Sequence, residues 1–152
     1  MVKYRRALVE DARSLANLFN DYRLFYGQES DLIGAEKFLK ARLEREESVV
    51  YYAYESNGDV VEPVGFTQLY PSFSSVSMKR VWILNDLFVA KRARRKGVAQ
   101  GLIEKARDLA VETEAKAVTL ETDHDNHNAQ NLYEKIGFTK DTQHHYTLNV
   151  PR

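Results

Sequence analysis

The chain contains no cysteine. Disulfides and thiolate metal sites are thereby excluded, and the absence suits a reducing, cytoplasmic setting. Proline is scarce: Pro63, Pro71 and Pro151 all fall at or beyond the ends of the strands expected below. Neither charge is in surplus, with 22 Lys and Arg against 22 Asp and Glu. A dedicated nucleic-acid binder usually carries a net basic surface, so nucleic acid is not an expected partner. No apolar run approaches the ~18 residues of a membrane span. No apolar segment follows Lys3, Arg5 and Arg6, so neither a membrane partner nor a signal peptide is expected. Repeats, low-complexity tracts and linkers are also missing. The 152 residues fit one domain, 1–152, large enough to bury about two-thirds of its unfolded surface without a staple.

What is present is an alternation of strand and helix patterns. Lys3–Val9 reads as a first strand. Leu15, Leu18, Phe19, Tyr22, Phe25 and Tyr26 then recur at helical spacing, with Asp11 as the N-cap. After a polar break at 27–34, Phe38, Leu39 and Leu43 mark a second helix. Val49–Tyr54 is β-branched and aromatic, and Asn57-Gly58 signals a hairpin into a returning strand, Val64–Tyr70. Pro71–Met78 is Ser-rich and reads as a loop. Val81–Val89 is an apolar strand interrupted by Asn85-Asp86. A helix follows with Val98, Leu102, Ile103, Ala106, Leu109 and Ala110 on one face. Ala117–Thr122 reads as a strand, Asn126–Ile136 as a helix closed by Gly137, and Tyr146–Val150 as a last strand. The order β-α-α-β-β-β-α-β-α-β mixes antiparallel hairpins with one βαβ unit and predicts an α/β (α+β) fold.

The most informative segment runs from Val89 to Gln100. A strand ends, a basic loop with Lys91, Arg92, Arg94, Arg95 and Lys96 follows, and a helix opens at small residues. Helix N-termini carry unpaired N–H groups and partial positive charge, and they bind phosphates. Gly97 and Ala99 let backbone approach a pyrophosphate, and the cations add to the attraction. Taken alone, such a run also suits a solvated face or a nucleic-acid patch.

Arg94-Arg95-Lys96-Gly97-Val98-Ala99 resembles the acetyl-coenzyme A signature of the GNAT superfamily of N-acetyltransferases, Arg/Gln-x-x-Gly-x-Gly/Ala. Asn126-His127-Asn128-Ala129-Gln130-Asn131-Leu132-Tyr133-Glu134-Lys135-Ile136-Gly137-Phe138 resembles the second signature, Asn-x-x-Ala-x-x-Leu-Tyr-x-x-x-Gly-Phe. The two stand in the family's order with one strand between them, and the element order matches along the whole chain. Leu84–Val89 is similar to the strand before the phosphate loop in small diamine and histone-type acetyltransferases.

The resemblance implies a mixed central sheet whose two parallel strands, Val81–Val89 and Ala117–Thr122, splay apart. Acetyl-CoA would be the cosubstrate. Its pantetheine arm would pair like a strand with Leu87, Phe88 and Val89. The backbone of Arg95, Lys96, Gly97, Val98, Ala99 and Gln100, with Arg94 beside it, would hold the pyrophosphate. Asn126, Asn128 and Ala129 would lie along the same arm. Tyr133 would protonate the departing thiolate, its ordinary pKa of ~10 being close to a thiol's ~8.5; without the resemblance, Leu132-Tyr133 with Ile136 and Phe138 reads rather as core. A backbone N–H near Leu87 would stabilise the developing oxyanion.

A protonated amine must lose a proton, and here the chain departs from the diamine enzymes, which have Glu where Asn85 stands. Asn85 is no base. Asp86 alternates to the opposite face of a regular strand, unless a bulge re-aims it. Glu121, on the next strand, is the second candidate. Either carboxylate is also readable as structural. Tyr26, Glu29 and Asp31, between the first two helices, together with Asn85, are expected to line the acceptor pocket, where the two acids suit a cationic amine. Trp82, Tyr70 and Phe73 are candidate walls. His124 and His127 beside Asp123 and Asp125 invite a metal, but polar residues are expected at a helix start, Asp125 being a natural cap, and no metal is expected.

The expected partner is therefore a primary amine, either a small polyamine or amino-acid-like molecule or a protein lysine. A homodimer is implied by the resemblance to the small relatives. The rival readings are a catalytically silent acyl-CoA-binding or sensing module on the same fold, which CoA binding without transfer would reveal, and a nucleic-acid binder, which salt-sensitive duplex binding would reveal.

Overall fold

The computed structural model describes residues 1–151. Met1–Glu121 form one compact unit and the chain from Thr122 forms a second. The first holds a five-stranded mixed sheet in the order β1-β2-β3-β4-β5. The strands are β1 (Lys3–Arg6), β2 (Val49–Asn57), β3 (Val60–Ser74), β4 (Lys79–Val89) and β5 (Ala117–Thr119). Neighbours from β1 to β4 run antiparallel, while β4 and β5 run parallel, joined through α3 (Val98–Glu112). The expected α/β class with one βαβ unit is what the chain forms.

Helices α1 (Ala12–Phe25) and α2 (Leu32–Glu44) cover one face of the sheet. Leu15, Leu18 and Phe19 of α1 and Ala35 and Leu39 of α2 pack against Val50, Tyr52 and Phe66 in one buried cluster. Helix α3 packs on the opposite face. A Cβ on Gly65 would come within 3.1 Å of Val98 and 3.4 Å of Leu102, so the glycine lets α3 lie close to β3. Each fully buried leucine stabilises the layers by roughly 1.5–3 kcal/mol, and Leu15, Leu39 and Leu102 are all at most 2 % exposed.

Several boundaries differ from expectation. The first strand stops at Arg6, and Val9–Asp11 is a 3-10 turn. Asp11 is the N-cap residue of α1, as expected, but its carboxylate makes no cap bond to that helix; it accepts from the Leu8 N–H at 2.7 Å and closes the preceding turn. Asp31 is the N-cap of α2, so the helix starts within the expected break. In the hairpin Asn57 pairs with Val60, leaving Gly58 and Asp59 as the loop; Gly58, at φ 62°, supplies the positive φ such a turn needs. β3 continues through the expected loop to Ser74 because β4 pairs with it as far as Lys79. Pro63 and Pro71 therefore lie inside a strand. Pro63 sits beside a register shift, and Pro71 lies beyond the reach of β2, both positions that tolerate a missing N–H.

The unit from Thr122 contains α4 (His127–Ile136). Asn126, not Asp125, is its N-cap, accepting from the Ala129 N–H at 3.3 Å. Gly137, at φ 126°, ends it, and the Phe138 N–H donates back to the Tyr133 carbonyl at 2.9 Å. The expected strand at Tyr146–Val150 does not form. Its alternation is real, but no edge pairs with it, and Tyr146, Leu148 and Val150 are exposed; alternation without a ladder does not make a strand. No helix among the described residues is long and apolar enough to cross a membrane.

Candidate active site

The central element is β4, and its two halves differ. Near its start, Val81–Ile83 pair with Ala117–Thr119 of β5. That ladder ends at Ile83, while β4 runs on to Val89. From Leu84 to Val89, β4 keeps its bonds to β3, and no strand among the described residues pairs with its other edge. On that edge the Leu87 backbone and the Val89 N–H face an open slot, which an extended amide-bearing arm can fill as a strand would. Phe88 instead pairs with Phe66 of β3, and the Val89 carbonyl accepts from Arg94.

At the end of this strand the chain turns through Lys91–Ala93 and enters α3. Gly97 is the residue before the helix, left-handed at φ 76°. Arg95 is also left-handed, at φ 64°. No side chain caps α3, so the first N–H groups of the helix are presented to an anion from outside, as its dipole favours. The cations are not equivalent. The Arg94 Nε donates to the Val89 carbonyl at 3.0 Å, and its guanidinium lies over the Phe25 and Phe88 rings at 5.9 and 5.8 Å; it ties the loop to β4 and α1. Arg92 pairs with Glu62. Arg95 and Lys96 are exposed on the loop itself. Val98 is buried, anchoring the helix start, while Ala99 and Gln100 are half-buried.

The other half of the site is created by an irregularity. Leu69 pairs with Leu84 but Gln68 pairs with Asp86, so Asn85 is an extra residue, a β-bulge in β4. The bulge inverts the alternation. Before it, Trp82 faces α3, its Nε1 donating to Thr113 at 2.8 Å. After it, Asp86 faces α1, where the Tyr22 hydroxyl donates to Oδ1 at 2.8 Å. In an unbroken strand the two side chains would share a face.

Asp86 is 7 % exposed. Three donors converge on its carboxylate: Tyr22, Gln68 Nε2 at 2.9 Å and Asn85 Nδ2 at 3.2 Å. No cation among the described residues forms an ion pair with it. Beneath it, Gln68 is fully buried, and its Oε1 has no hydrogen-bond partner; the amide keeps this orientation, at a cost of about 1–3 kcal/mol for the orphaned acceptor, because the carboxylate claims its N–H. Burial pushes the Tyr22 phenol up from its ordinary range, and the nearby Asp86 charge adds to the shift. Tyr70 is pushed up to about 12, again by burial first and Asp86 second. Both phenols are therefore neutral at any ordinary pH, and Tyr22 stays a hydrogen-bond donor to the carboxylate.

These groups line a cavity of about 490 Å³ between the sheet and the α1–α2 pair. Phe19, Tyr22, Tyr26, Phe38 and Tyr70 provide aromatic wall, with Asn85 and Asp86 at the sheet. Of the expected acceptor residues, Tyr26, Asp31 and Asn85 lie on the cavity and Glu29 does not. Asp31 also has a structural task, its Oδ1 accepting from the Gly34 N–H at 2.9 Å. Of the candidate walls, Tyr70 lies on the cavity; Trp82 is on the other face, and Phe73 is exposed with Arg80 stacked over it. Arg23, Gln28 and Gln68 escaped the sequence reading. Gln68 alone left a signal, as a long polar side chain within the expected strand Val64–Tyr70.

The second candidate base, Glu121, lies beyond the end of β5, exposed and away from the cavity; the strand expected to carry it stops two residues short. In the second unit Asn126 is engaged as a cap, Asn128 is exposed, and Tyr133 is half-buried with its ring edge-on to Phe138 at 5.8 Å. The Gln130 amide donates to the carbonyls of Asp123 and His124 at 2.9 and 3.0 Å, which uses this polar cluster as a helix entry. No group of three or more potential metal ligands occurs among the described residues.

Comparison with known proteins agrees with this geometry. Residues 12–138 match the model of the acetyltransferase (GNAT) family. The chain is 56 % identical over 148 residues, 97 % of each chain, to an uncharacterized N-acetyltransferase of Bacillus subtilis, YhfO. Over 80 residues, 53 % of this chain and 50 % of the relative, it is 40 % identical to a D-amino-acid N-acetyltransferase of Saccharomyces cerevisiae, HPA3. A crystal structure of a probable acetyltransferase, 45 % identical, superposes with a TM-score of 0.90 over 99 % of both chains. An open strand edge leading to an uncapped, glycine-started helix, set in this sheet and matched by these relatives, establishes that the chain belongs to the GNAT family of acetyl-CoA-dependent acetyltransferases, which acetylate amines.

Proposed function

We propose that the chain transfers the acetyl group of acetyl-CoA directly to a primary amine that enters the cavity over Asp86, both substrates being bound together. One observation carries this reading: the bulge at Asn85 turns Asp86 into the cavity while the same strand keeps its opposite edge open from Leu84 onward. One element thus addresses both substrates.

The residues fit acetyl-CoA. Leu87 and Val89 offer backbone to the pantetheine arm. The amides from Arg95 to Gln100 face the pyrophosphate, with Arg95 and Lys96 adding charge. Gly97 has open space where a Cβ would stand, so backbone approach is unobstructed. Bound there, acetyl-CoA supplies an activated acyl carbon, and no metal or nucleophilic side chain is needed. Asn126, Asn128 and Ala129 are assigned to the same arm from the signature alone.

Asp86 has the base role. An incoming ammonium is drawn to a buried carboxylate that lacks a cation, which is the pairing a buried charge requires. Asp86 takes one ammonium proton, freeing the nitrogen lone pair. The new C–N bond forms and the C–S bond breaks. The nitrogen gives up its second proton as the amide forms, and the departing thiolate takes one from an acid. Tyr133 is assigned as that acid. The second nitrogen proton makes good its loss, so that the net proton released is the one held by Asp86. Gln68, Tyr22 and Asn85 hold the Asp86 carboxylate in place, and confinement of both reactants contributes much of the rate. The amine is a small molecule or a protein lysine, and the setting is cytoplasmic. A homodimer of a single domain, 1–152, is the assembly proposed, on the strength of the signatures.

Free-thiol release from acetyl-CoA with a panel of primary amines tests the reading. Wild type should turn over at least one amine, with Asp86→Asn and Tyr133→Phe lowering kcat while CoA still binds. CoA binding without transfer to any amine would favour a sensing module, and loss of CoA binding altogether would overturn the assignment.

A further inference from the structure

The cavity contains more than a carboxylate. Arg23, half-buried on α1, lines it. Its Nη1 donates to the Glu29 carbonyl at 3.1 Å, which fixes the side chain, and no carboxylate among the described residues forms an ion pair with it. The cavity therefore presents an unpaired anion at the sheet and an unpaired cation on the helix.

The surroundings are apolar. Of the residues that line it, Tyr26 at 59 % exposure and Phe38 at 41 % carry its apolar wall out to solvent. Such a cluster at a cavity rim marks a binding surface for apolar groups. A polyamine fits this poorly. It brings two or more ammonium groups, and Arg23 repels the second. The other acid on the cavity wall, Asp31, is already held at the α2 N-terminus by the Gly34 N–H.

Resting on the transfer reading above, we propose that the acceptor is a zwitterionic amine with an aromatic or branched apolar body, an amino-acid-type molecule. Its ammonium is received by Asp86, its carboxylate by Arg23, and its side chain by the aromatic walls. Arg23 is then the specificity-determining residue, since a planar guanidinium matches a carboxylate with two parallel hydrogen bonds. It rewards the anionic group and rejects a second cation.

The experiment measures both acetylation and equilibrium binding for phenylalanine (each enantiomer), phenethylamine, putrescine and spermidine, with wild type, Arg23→Gln and Arg23→Glu. Wild type should prefer one enantiomer of phenylalanine over putrescine by at least about tenfold in kcat/KM and in Kd. Arg23→Gln should raise KM for phenylalanine at least about tenfold more than for phenethylamine, and Arg23→Glu should improve putrescine. Preference of the wild type for putrescine or spermidine in both readouts overturns the inference and leaves the transfer reading standing. So does an equal loss of phenylalanine and phenethylamine in Arg23→Gln. The expected order in binding, with no amine acetylated, overturns the transfer reading and with it the zwitterion as acceptor.

Discussion

On its open edge β4 offers bare backbone, and the loop behind it adds amides and cations. On its α1 face the same strand offers one buried carboxylate, three hydrogen-bond donors and a ring of aromatic side chains. The first region is built from residues close in sequence, Val89 to Gln100. The second is assembled from Tyr22, Gln68 and Asp86, brought together across 64 residues by the sheet and α1. On the proposed reading the donor side is mostly backbone and should tolerate exchange of most side chains, whereas the acceptor side should depend on each side chain in it.

That contrast predicts different responses to substitution. The largest effect is expected at Asp86→Asn, which keeps the shape and removes the base: kcat should fall by roughly 10²–10⁴-fold, the usual range for general base catalysis, with the Kd for CoA within about twofold of wild type, as calorimetry can check. Next is Gly97→Val on the donor side. A β-branched residue at φ 76° is a conformational outlier that costs about 1–2 kcal/mol, so CoA should bind roughly tenfold more weakly while the KM for amine barely moves.

The same contrast explains what could be read in advance. The basic loop, α3, α4 and the strands β2, β3 and β4 are local patterns that stand near their expected places. The acceptor site is not local. Whether Asp86 faces the cavity turns on one extra residue in β4, and whether β5 carries Glu121 turns on where its ladder ends. The pattern of Val81–Val89 is the same with or without the bulge. Arg23 left no signal in the sequence, because only the closed fold reveals the cavity that it lines. The strand expected at Tyr146–Val150 failed for the converse reason: period-two alternation specifies a face, and a ladder must come from elsewhere.

Smaller effects sharpen the picture. Raising salt should weaken acetyl-CoA more than amine, because Arg95 and Lys96 are exposed and screened while Asp86 is buried; KM against ionic strength for each substrate measures this. The smallest effect concerns Tyr70. Its phenol is pushed up to about 12 by burial and by Asp86, so the folded state favours the neutral form. That contribution is intact below the ordinary tyrosine value of ~10 and is lost as pH rises through about 12. Wild type should therefore lose more Tm than Tyr70→Phe across that window.

The most direct test asks whether Asp86 takes the proton. Single-turnover acetylation is compared for wild type and Asp86→Asn with two amines of similar shape, one whose pKa lies well above the assay pH and one below it. If Asp86 is the base, the variant loses about 10² or more with the first amine and recovers most of that loss with the second, which arrives already neutral. An equal loss with both amines would contradict the account and leave Asp86 as a structural carboxylate only.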